Sequence, residues 1–153
     1  MTKKILFVDA GNYSRSPAAE VIAKTHFTKN LKTAGVVVSS AGLKDKHVGG
    51  GADPRTIEEC AKRGYDLSGF RCRQISPEDF AESDLILAMD RSNHEALAAL
   101  RPAGSKARLD LFIPGGEVPD PYFGGADGFV IAIDLIEKRV TELAKAIAGG
   151  FRP

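Results

Sequence analysis

The chain of 153 residues contains little cysteine and no long apolar run. Its only two cysteines, Cys60 and Cys72, lack C-x-x-C spacing, and the N-terminus carries no secretory signal, so we expect a reduced, cytoplasmic compartment. Both are predicted to be small buried or half-buried thiols. No apolar run approaches the roughly 18 residues that span a membrane, which argues against a membrane protein.

An excess of charge of either sign is also absent. The 21 lysines and arginines nearly balance the 20 aspartates and glutamates, which gives no electrostatic reason to expect nucleic acid or a membrane surface as a partner. Any basic site must therefore be local. The three histidines, His26, His47 and His94, show no metal-ligand spacing, so we expect no metal and no other cofactor.

The pattern of apolar segments predicts one α/β domain over residues 1–153. Apolar runs predict strands at 3–9, 35–42, 84–90 and 107–112, and helical patterns separate and follow them at 16–27, 53–64, 76–83, 92–100 and 129–147. This alternation predicts a three-layer sandwich: a four-stranded parallel sheet with helices on both faces. Ligands of such sheets bind beyond the carboxyl ends of the strands.

Capping signals mark the helix ends. Ser16 is predicted to cap the first helix, with Pro17 opening it, and Asp53 is predicted to cap the second helix, which Gly64 closes. Asp90 lies before a further helix, where we favour a simple cap over a role in orienting a catalytic edge.

The segment LFVDAGNYSRSPAAE, residues 6–20, places a glycine turn between the first strand and the first helix. Gly11 is flexible, Asn12 tolerates left-handed backbone, and Arg15 offers a planar fork for two oxygens of a tetrahedral anion. Such a loop can form a concave nest of N–H donors over a helix N-terminus, which favours phosphate. A plain capped turn remains the alternative, because glycine turns are common.

The same segment resembles the signature of the low-molecular-weight protein tyrosine phosphatases, in their bacterial form. That loop reads Cys, any residue, Gly-Asn, any residue, Cys-Arg-Ser-Pro after a hydrophobic strand. The segments SSAG, HVGGGADPR, GYDLSGFRCRQISPEDFAESDLILAMDRSN and VPDPYFGGADGF resemble later parts of the family in the same order, so the resemblance covers nearly the whole chain. It implies a phosphate-binding loop after the first strand and hydrolysis of phosphotyrosine through a phosphocysteine.

The resemblance also implies roles for individual residues. Arg15 matches the arginine that holds the equatorial oxygens, and Asp120 matches the acid that protonates the leaving group. Lys46, Tyr122 and Phe123 would line the substrate, with Lys46 standing where the family often has an aromatic residue. The implied phosphate-binding loop is Ala10, Gly11, Asn12, Tyr13, Ser14 and Arg15, and the implied loop-supporting residues are Asn12, Ser16 and Ser40.

Two positions depart from the family pattern. Asp9 stands where the nucleophilic cysteine belongs, and Ser14 stands at the second loop cysteine. A carboxylate is a much weaker nucleophile than a thiolate toward a phosphoester, and it can occupy the donors of its own loop. We therefore expect little or no turnover and weakened phosphate affinity. Without either sulfur, the protective loop disulfide of the family is also absent.

Three functions stay open at this point. The chain is a phosphatase impaired by Asp9, or a pseudophosphatase that binds phosphotyrosine without hydrolysis, or, less favoured, a relative of arsenate reductase. The last chemistry needs a loop cysteine with further paired cysteines, which Cys60 and Cys72 are not placed to supply. The expected partners are a phosphotyrosine-containing protein or peptide and phosphate or a similar oxyanion, with the chain itself a monomer or weak dimer.

Overall fold

A four-stranded parallel sheet forms the centre of the fold. The computed structural model describes residues 2–150. The spatial order of the strands is β2-β1-β3-β4, and every neighbouring pair is parallel. The predicted fold class is confirmed. The strand bounds are Lys4–Asp9 (β1), Val37–Gly42 (β2), Leu85–Ala88 (β3) and Arg108–Leu111 (β4).

Helices cover both faces of this sheet. Helix α5 packs against α1 and α2, whereas α4 packs against β3 and β4. Two short 3-10 turns, Pro121–Phe123 and Gly125–Asp127, precede α5. The helix bounds are Arg15–Thr28 (α1), Pro54–Lys62 (α2), Pro77–Glu82 (α3), Arg91–Leu100 (α4) and Gly128–Ala148 (α5).

The alternation of side chains along β1 explains the two-sided core. Ile5 and Phe7 lie in the larger cluster, with α1, α2 and α5, while Leu6 and Val8 lie in the smaller one, with α3 and α4. All four side chains are fully buried. Each contributes roughly 1.5–3 kcal/mol to folding, so both layers are anchored to the strand that leads into the loop.

The caps of α2 follow the sequence prediction. The Asp53 side chain accepts a hydrogen bond from the Arg55 N–H at 2.8 Å, and Pro54 is the first helical residue. Gly64 adopts a φ of +88° just beyond the helix, in the left-handed region that glycine enters without strain.

The predicted start of α1 is wrong. Ser16 lies inside the helix, which begins at Arg15. The carboxylate of Asp9 accepts a hydrogen bond from the Ser16 N–H at 2.8 Å. It thereby satisfies one of the free N–H groups at the start of the helix, which is the task of an N-cap side chain. The Ser16 hydroxyl is then free to accept a hydrogen bond from the Asn12 side chain.

Among residues 2–150, no helix has both the length and the apolar character needed to cross a membrane. Residues 2–150 also contain no cluster of three or more histidine, cysteine, aspartate or glutamate side chains able to hold a metal ion.

Candidate anion-binding site

The loop between β1 and α1 lines a pocket with residues that include Gly11, Tyr13 and Ser14. Asn12 adopts a φ of 54°, the left-handed conformation expected from the sequence. The carbonyl oxygens of the loop point to the surrounding backbone: those of Asp9, Ala10 and Tyr13 accept the N–H groups of Leu43, Lys44 and Asp53 at 3.0, 2.8 and 2.8 Å, respectively.

Several loop donors remain available to a ligand. Within residues 2–150, the backbone N–H groups of Gly11, Tyr13 and Ser14 form no hydrogen bond. The same residues line a pocket of about 220 Å³. Convergent unpaired N–H groups at the start of a helix form an anion-binding nest. The geometry therefore fits a tetrahedral oxyanion.

Asp9 lies at the base of this pocket with only 3% of its surface exposed. Its Oδ1 accepts the N–H of Asn12 at 2.6 Å, and its Oδ2 accepts the N–H of Ser16 at 2.8 Å. Both carboxylate oxygens thus accept backbone hydrogen bonds, one from the loop and one from the first turn of α1. The carboxylate therefore occupies two backbone donors that a ligand would otherwise compete for.

The environment of Asp9 raises the pKa of its carboxyl group. Burial is the main cause; the N–H of Ser16 and the guanidinium of Arg15 oppose it without cancelling it. Because the folded-state pKa is raised, deprotonation of Asp9 is less favourable in the folded chain than in the unfolded chain and lowers the free energy of unfolding. This loss is absent below the unfolded pKa, grows as the pH rises from the unfolded to the folded pKa, and is constant above the folded pKa.

The guanidinium group of Arg15 is fixed by hydrogen bonds to two acceptors. Its Nη1 donates to Asp90 Oδ2 at 2.9 Å and to the Val118 carbonyl at 2.8 Å, and the residue is 5% exposed. Asp90 also caps α4 through its Oδ1, which accepts the Asn93 N–H at 2.8 Å. We favoured the cap alone from sequence, whereas the carboxylate both caps the helix and positions Arg15.

A buried network joins the three residues expected to support the loop. The Asn12 amide donates to Ser16 Oγ at 2.9 Å and to Ser40 Oγ at 3.0 Å. Its Oδ1 accepts the N–H of Arg73 at 2.8 Å. Asn12 therefore faces away from the pocket, and its own N–H serves Asp9 rather than a ligand. This is a correction to its expected place among the phosphate donors.

Ser14 has a partner that the sequence did not reveal. Its hydroxyl lies 2.7 Å from the hydroxyl of Thr56 in α2, and both side chains are buried. The contact ties the loop to α2 across a long stretch of sequence. No local pattern around Thr56 indicates it.

The rim of the pocket combines aromatic and basic side chains. The predicted residues Lys46, Asp120 and Tyr122 lie on it. Two features were missed: Lys44 also lines the pocket, and the ring of Tyr13 stacks on that of His47 with centroids 3.7 Å apart and planes 6° apart. The aromatic side chains of the rim can thus contact a planar ring of a ligand, and its lysines can contact negatively charged groups beside that ring.

Tyr122 is fixed by a buried carboxylate. Its hydroxyl donates to Asp53 Oδ2, and the Arg55 guanidinium lies 4.8 Å from its ring centroid. Burial and the Asp53 carboxylate raise the pKa of Tyr122. Burial also acts to raise the pKa of Asp53, but hydrogen bonds from Arg55 and Tyr122 outweigh it and the pKa lies below its usual value.

Phe123 does not share this position. It is 89% exposed and lies outside the pocket lining, and its place in an aromatic wall for the substrate stays a prediction. In the 3-10 turn Pro121–Phe123, successive side chains point about 120° apart, because this helix has three residues per turn. When Tyr122 faces the pocket, Phe123 must face another way.

The two cysteines lie away from the pocket lining. Both are buried and free. Burial raises the pKa of Cys60 to about 12, and burial with the negative charge of Asp9 raises the pKa of Cys72. Thiols of this kind stay protonated and unreactive near neutral pH.

Gly42 forms the rear wall of the loop. A Cβ added there would lie 2.6 Å from the Asn12 nitrogen and 2.6 Å from the Gly11 carbonyl carbon. We expect Gly42→Ala to lower the free energy of unfolding by about 2 kcal/mol, because backbone must shift to admit the methyl group. Urea unfolding measures this. Gly35→Ala is the matched control, since its Cβ would meet nothing within 4 Å; equal effects of the two substitutions would contradict the prediction.

The fold and this loop together define a class: a parallel α/β protein with an oxyanion nest and a fixed arginine after its first strand. The family model for low molecular weight phosphotyrosine protein phosphatase matches residues 4–150. The chain therefore belongs to that family.

Individual relatives agree along nearly the whole chain. A Synechocystis protein that carries the family's name is 48% identical over 141 residues, covering 88% of this chain and 89% of that protein. The low molecular weight protein-tyrosine-phosphatase of Streptomyces coelicolor is 38% identical, covering 96% and 94%. The crystal structure of an Entamoeba histolytica protein tyrosine phosphatase with Hepes in the active site has a TM-score of 0.87 at 34% identity, covering 97% and 99%.

Proposed function

We propose that this chain binds the phosphate group of phosphotyrosine in the loop and hydrolyses the ester slowly or not at all. The observation that supports this most is the position of Asp9. It stands at the nucleophile position of the family pattern, buried, with both oxygens bound to backbone N–H groups. Membership of the family indicates the enzyme class, and Asp9 in place of the nucleophile is expected to lower the turnover of this chain.

Turnover in the family pattern depends on a thiolate that attacks phosphorus. The carboxylate of Asp9 is an intrinsically poorer nucleophile toward a phosphoester. Each of its oxygens already shares a lone pair with a backbone N–H, which lowers its reactivity further. Asp120 lies on the rim, where it could protonate a leaving group, but an acid alone cannot replace the missing attack.

Binding needs less than catalysis, and its parts are present. Gly11, Tyr13 and Ser14, whose N–H groups form no hydrogen bond within residues 2–150, line the pocket together with Arg15. Its Nη1 is engaged by Asp90 and Val118, and within residues 2–150 its Nε and Nη2 form no hydrogen bond. These two nitrogens can donate to two oxygens of a phosphate in the planar fork that arginine provides.

The rim fits the remainder of phosphotyrosine. The stacked rings of Tyr13 and His47 and the ring of Tyr122 border the pocket and can contact an aryl ring. Lys44 and Lys46 are exposed on the same rim and can attract acidic residues that flank the phosphotyrosine. We therefore propose a phosphotyrosine-containing peptide or protein as the partner.

Calorimetry with benzylphosphonate, which resists hydrolysis, tests the binding proposal. We expect saturable binding to the unchanged chain and at least a tenfold loss of affinity in Arg15→Ala, because the fork is removed. Arg15→Lys should recover only part of the affinity, since a lysine keeps the charge without the fork.

Lys62→Gln, which removes an exposed positive charge on α2, is the matched control and should bind as the unchanged chain does. Circular dichroism confirms that each variant is folded. Equal affinity of Arg15→Ala and the unchanged chain would contradict binding in the loop. Rapid hydrolysis of phenyl phosphate by the unchanged chain would contradict impaired turnover.

A further inference from the structure

The structure contains a second and larger cavity. It has a volume of about 530 Å³ and opens between α4 and α5, beside the strand β4 at the end of the sheet. None of its lining residues belongs to the loop pocket. Its wall combines basic, acidic and apolar side chains: Arg91, His94, Arg108 and Arg139, with Glu95 and Asp110, and with Leu87, Leu111 and Pro114.

Arg139 is the distinctive group in this cleft. It projects from α5, is half-buried, and donates through Nε to the Phe112 carbonyl at 2.6 Å. Within residues 2–150 it forms no ion pair with a carboxylate. Burial lowers the pKa of Arg139, and the negative charge of Glu142 opposes this shift without cancelling it. A partly desolvated guanidinium favours an anion beside it.

The other arginines of the cleft already have acidic neighbours. Arg91 lies 3.6 Å from a carboxylate oxygen of Glu117, and Arg108 pairs with Asp110. Arg91 also donates to the carbonyl of Gly115 at 2.8 Å, which holds it against the loop after β4. The positive charge of these pairs is partly neutralised, so Arg139 determines where an anion would sit.

We propose that this cleft binds a small organic oxyanion, with its carboxylate or phosphate group on Arg139. The group meets the free edge of the guanidinium, because Nε is committed to the Phe112 carbonyl. The apolar part of the ligand packs against Leu87, Leu111 and Pro114. The volume lies within the roughly 300–1,000 Å³ typical of small-molecule sites. This site does not depend on the function proposed for the loop.

NMR titration of the ¹⁵N-labelled chain tests the cleft directly. The probes are benzoate and phenylphosphonate, which separate a carboxylate from a phosphate-like head group, and benzylamine is a cation of similar size. We expect saturable shifts of the His94, Asp110 and Gly115 amides and of the Arg139 Nε–H with at least one anion. Benzylamine should leave these signals unchanged.

Two substitutions on α5 provide a second test of anion binding in the cleft. Arg139→Gln keeps an N–H donor for the Phe112 carbonyl but removes the charge, and it should weaken anion binding in the cleft at least tenfold. Lys138→Gln removes an adjacent exposed charge outside the cleft and should bind as the unchanged chain does. Shifts confined to residues 10–15, no saturation at the cleft, or equal shifts with benzylamine would each overturn the proposal. The titration of the unchanged chain is measured first, so it tests whether the cleft binds an anion even if a variant fails to fold.

Discussion

Replacement of Asp9 by cysteine is expected to raise the rate of aryl phosphate hydrolysis by roughly 10³-fold or more. The N–H groups of Asn12 and Ser16 that now bind the carboxylate would then face a sulfur atom. Together with Arg15 they favour the thiolate, which is the stronger nucleophile toward phosphorus. Initial rates with 4-nitrophenyl phosphate at mildly acidic pH, measured beside the unchanged chain, provide the test.

The size of this effect depends on groups that are already in place. Arg15 is fixed by Asp90 and Val118, and Asp120 lies on the rim of the same pocket. An added thiol would therefore complete a site rather than create one. Removal of the nucleophile from a catalytic unit typically costs several powers of ten in rate, and its restoration should recover a similar factor.

Asp9→Ser is the control for this prediction. The serine side chain is small and neutral, and its hydroxyl oxygen can accept hydrogen bonds from the backbone N–H groups. Because this hydroxyl is not ionised near neutral pH, the rate of aryl phosphate hydrolysis should stay close to that of the unchanged chain. A silent Asp9→Cys variant that still binds benzylphosphonate would show that a second defect blocks turnover. The binding function would then stand alone.

The strands could be predicted because their signal is local. Residues 3–9 form one apolar run, and β1 occupies Lys4–Asp9 with every residue after Lys4 buried. Asp53 and Pro54 open α2 for the same reason: cap and first-turn residues act on their immediate neighbours. Agreement between local propensity and global packing made the parallel sheet predictable.

The site could be predicted only in part, because much of it is non-local. The stacking of Tyr13 on His47, the contact of Ser14 with Thr56 and the tie of Tyr122 to Asp53 join distant segments. No periodicity or spacing encodes such pairs. The local pattern around Asp53 indicates its role as a cap and not its contact with Tyr122.

One local rule failed at the loop itself. A serine before proline at the start of a helix normally indicates a cap, yet Ser16 lies within α1. The carboxylate of Asp9 takes the donor that the cap would satisfy, and this carboxylate belongs to the preceding strand. The loop proposed to bind phosphate is thus the place where the local sequence pattern and the observed structure disagree.

The affinity of the loop for sulfate is expected to rise as the pH falls, by up to about tenfold for each pH unit. A bound dianion raises the pKa of Asp9 further, because ionised Asp9 and the ligand repel one another. Binding is then coupled to uptake of one proton. Affinity should be constant below the pKa of Asp9 in the free protein and fall above it. Sulfate stays a dianion throughout, so its own titration does not contribute.

Asp9→Ser separates this effect from the other titratable groups around the pocket. Asp120, His47, Lys44 and Lys46 line it and remain in the variant, so any pH dependence they cause should persist. The difference between the pH dependences of sulfate affinity in the two chains is then due to Asp9 alone. Calorimetry over the pH range in which the protein stays folded should show a much smaller slope in Asp9→Ser than in the unchanged chain. At the highest pH of the series, Asp9→Ser should bind sulfate more tightly than the unchanged chain does. Identical slopes in the two chains would mean that the carboxylate does not sense the bound anion.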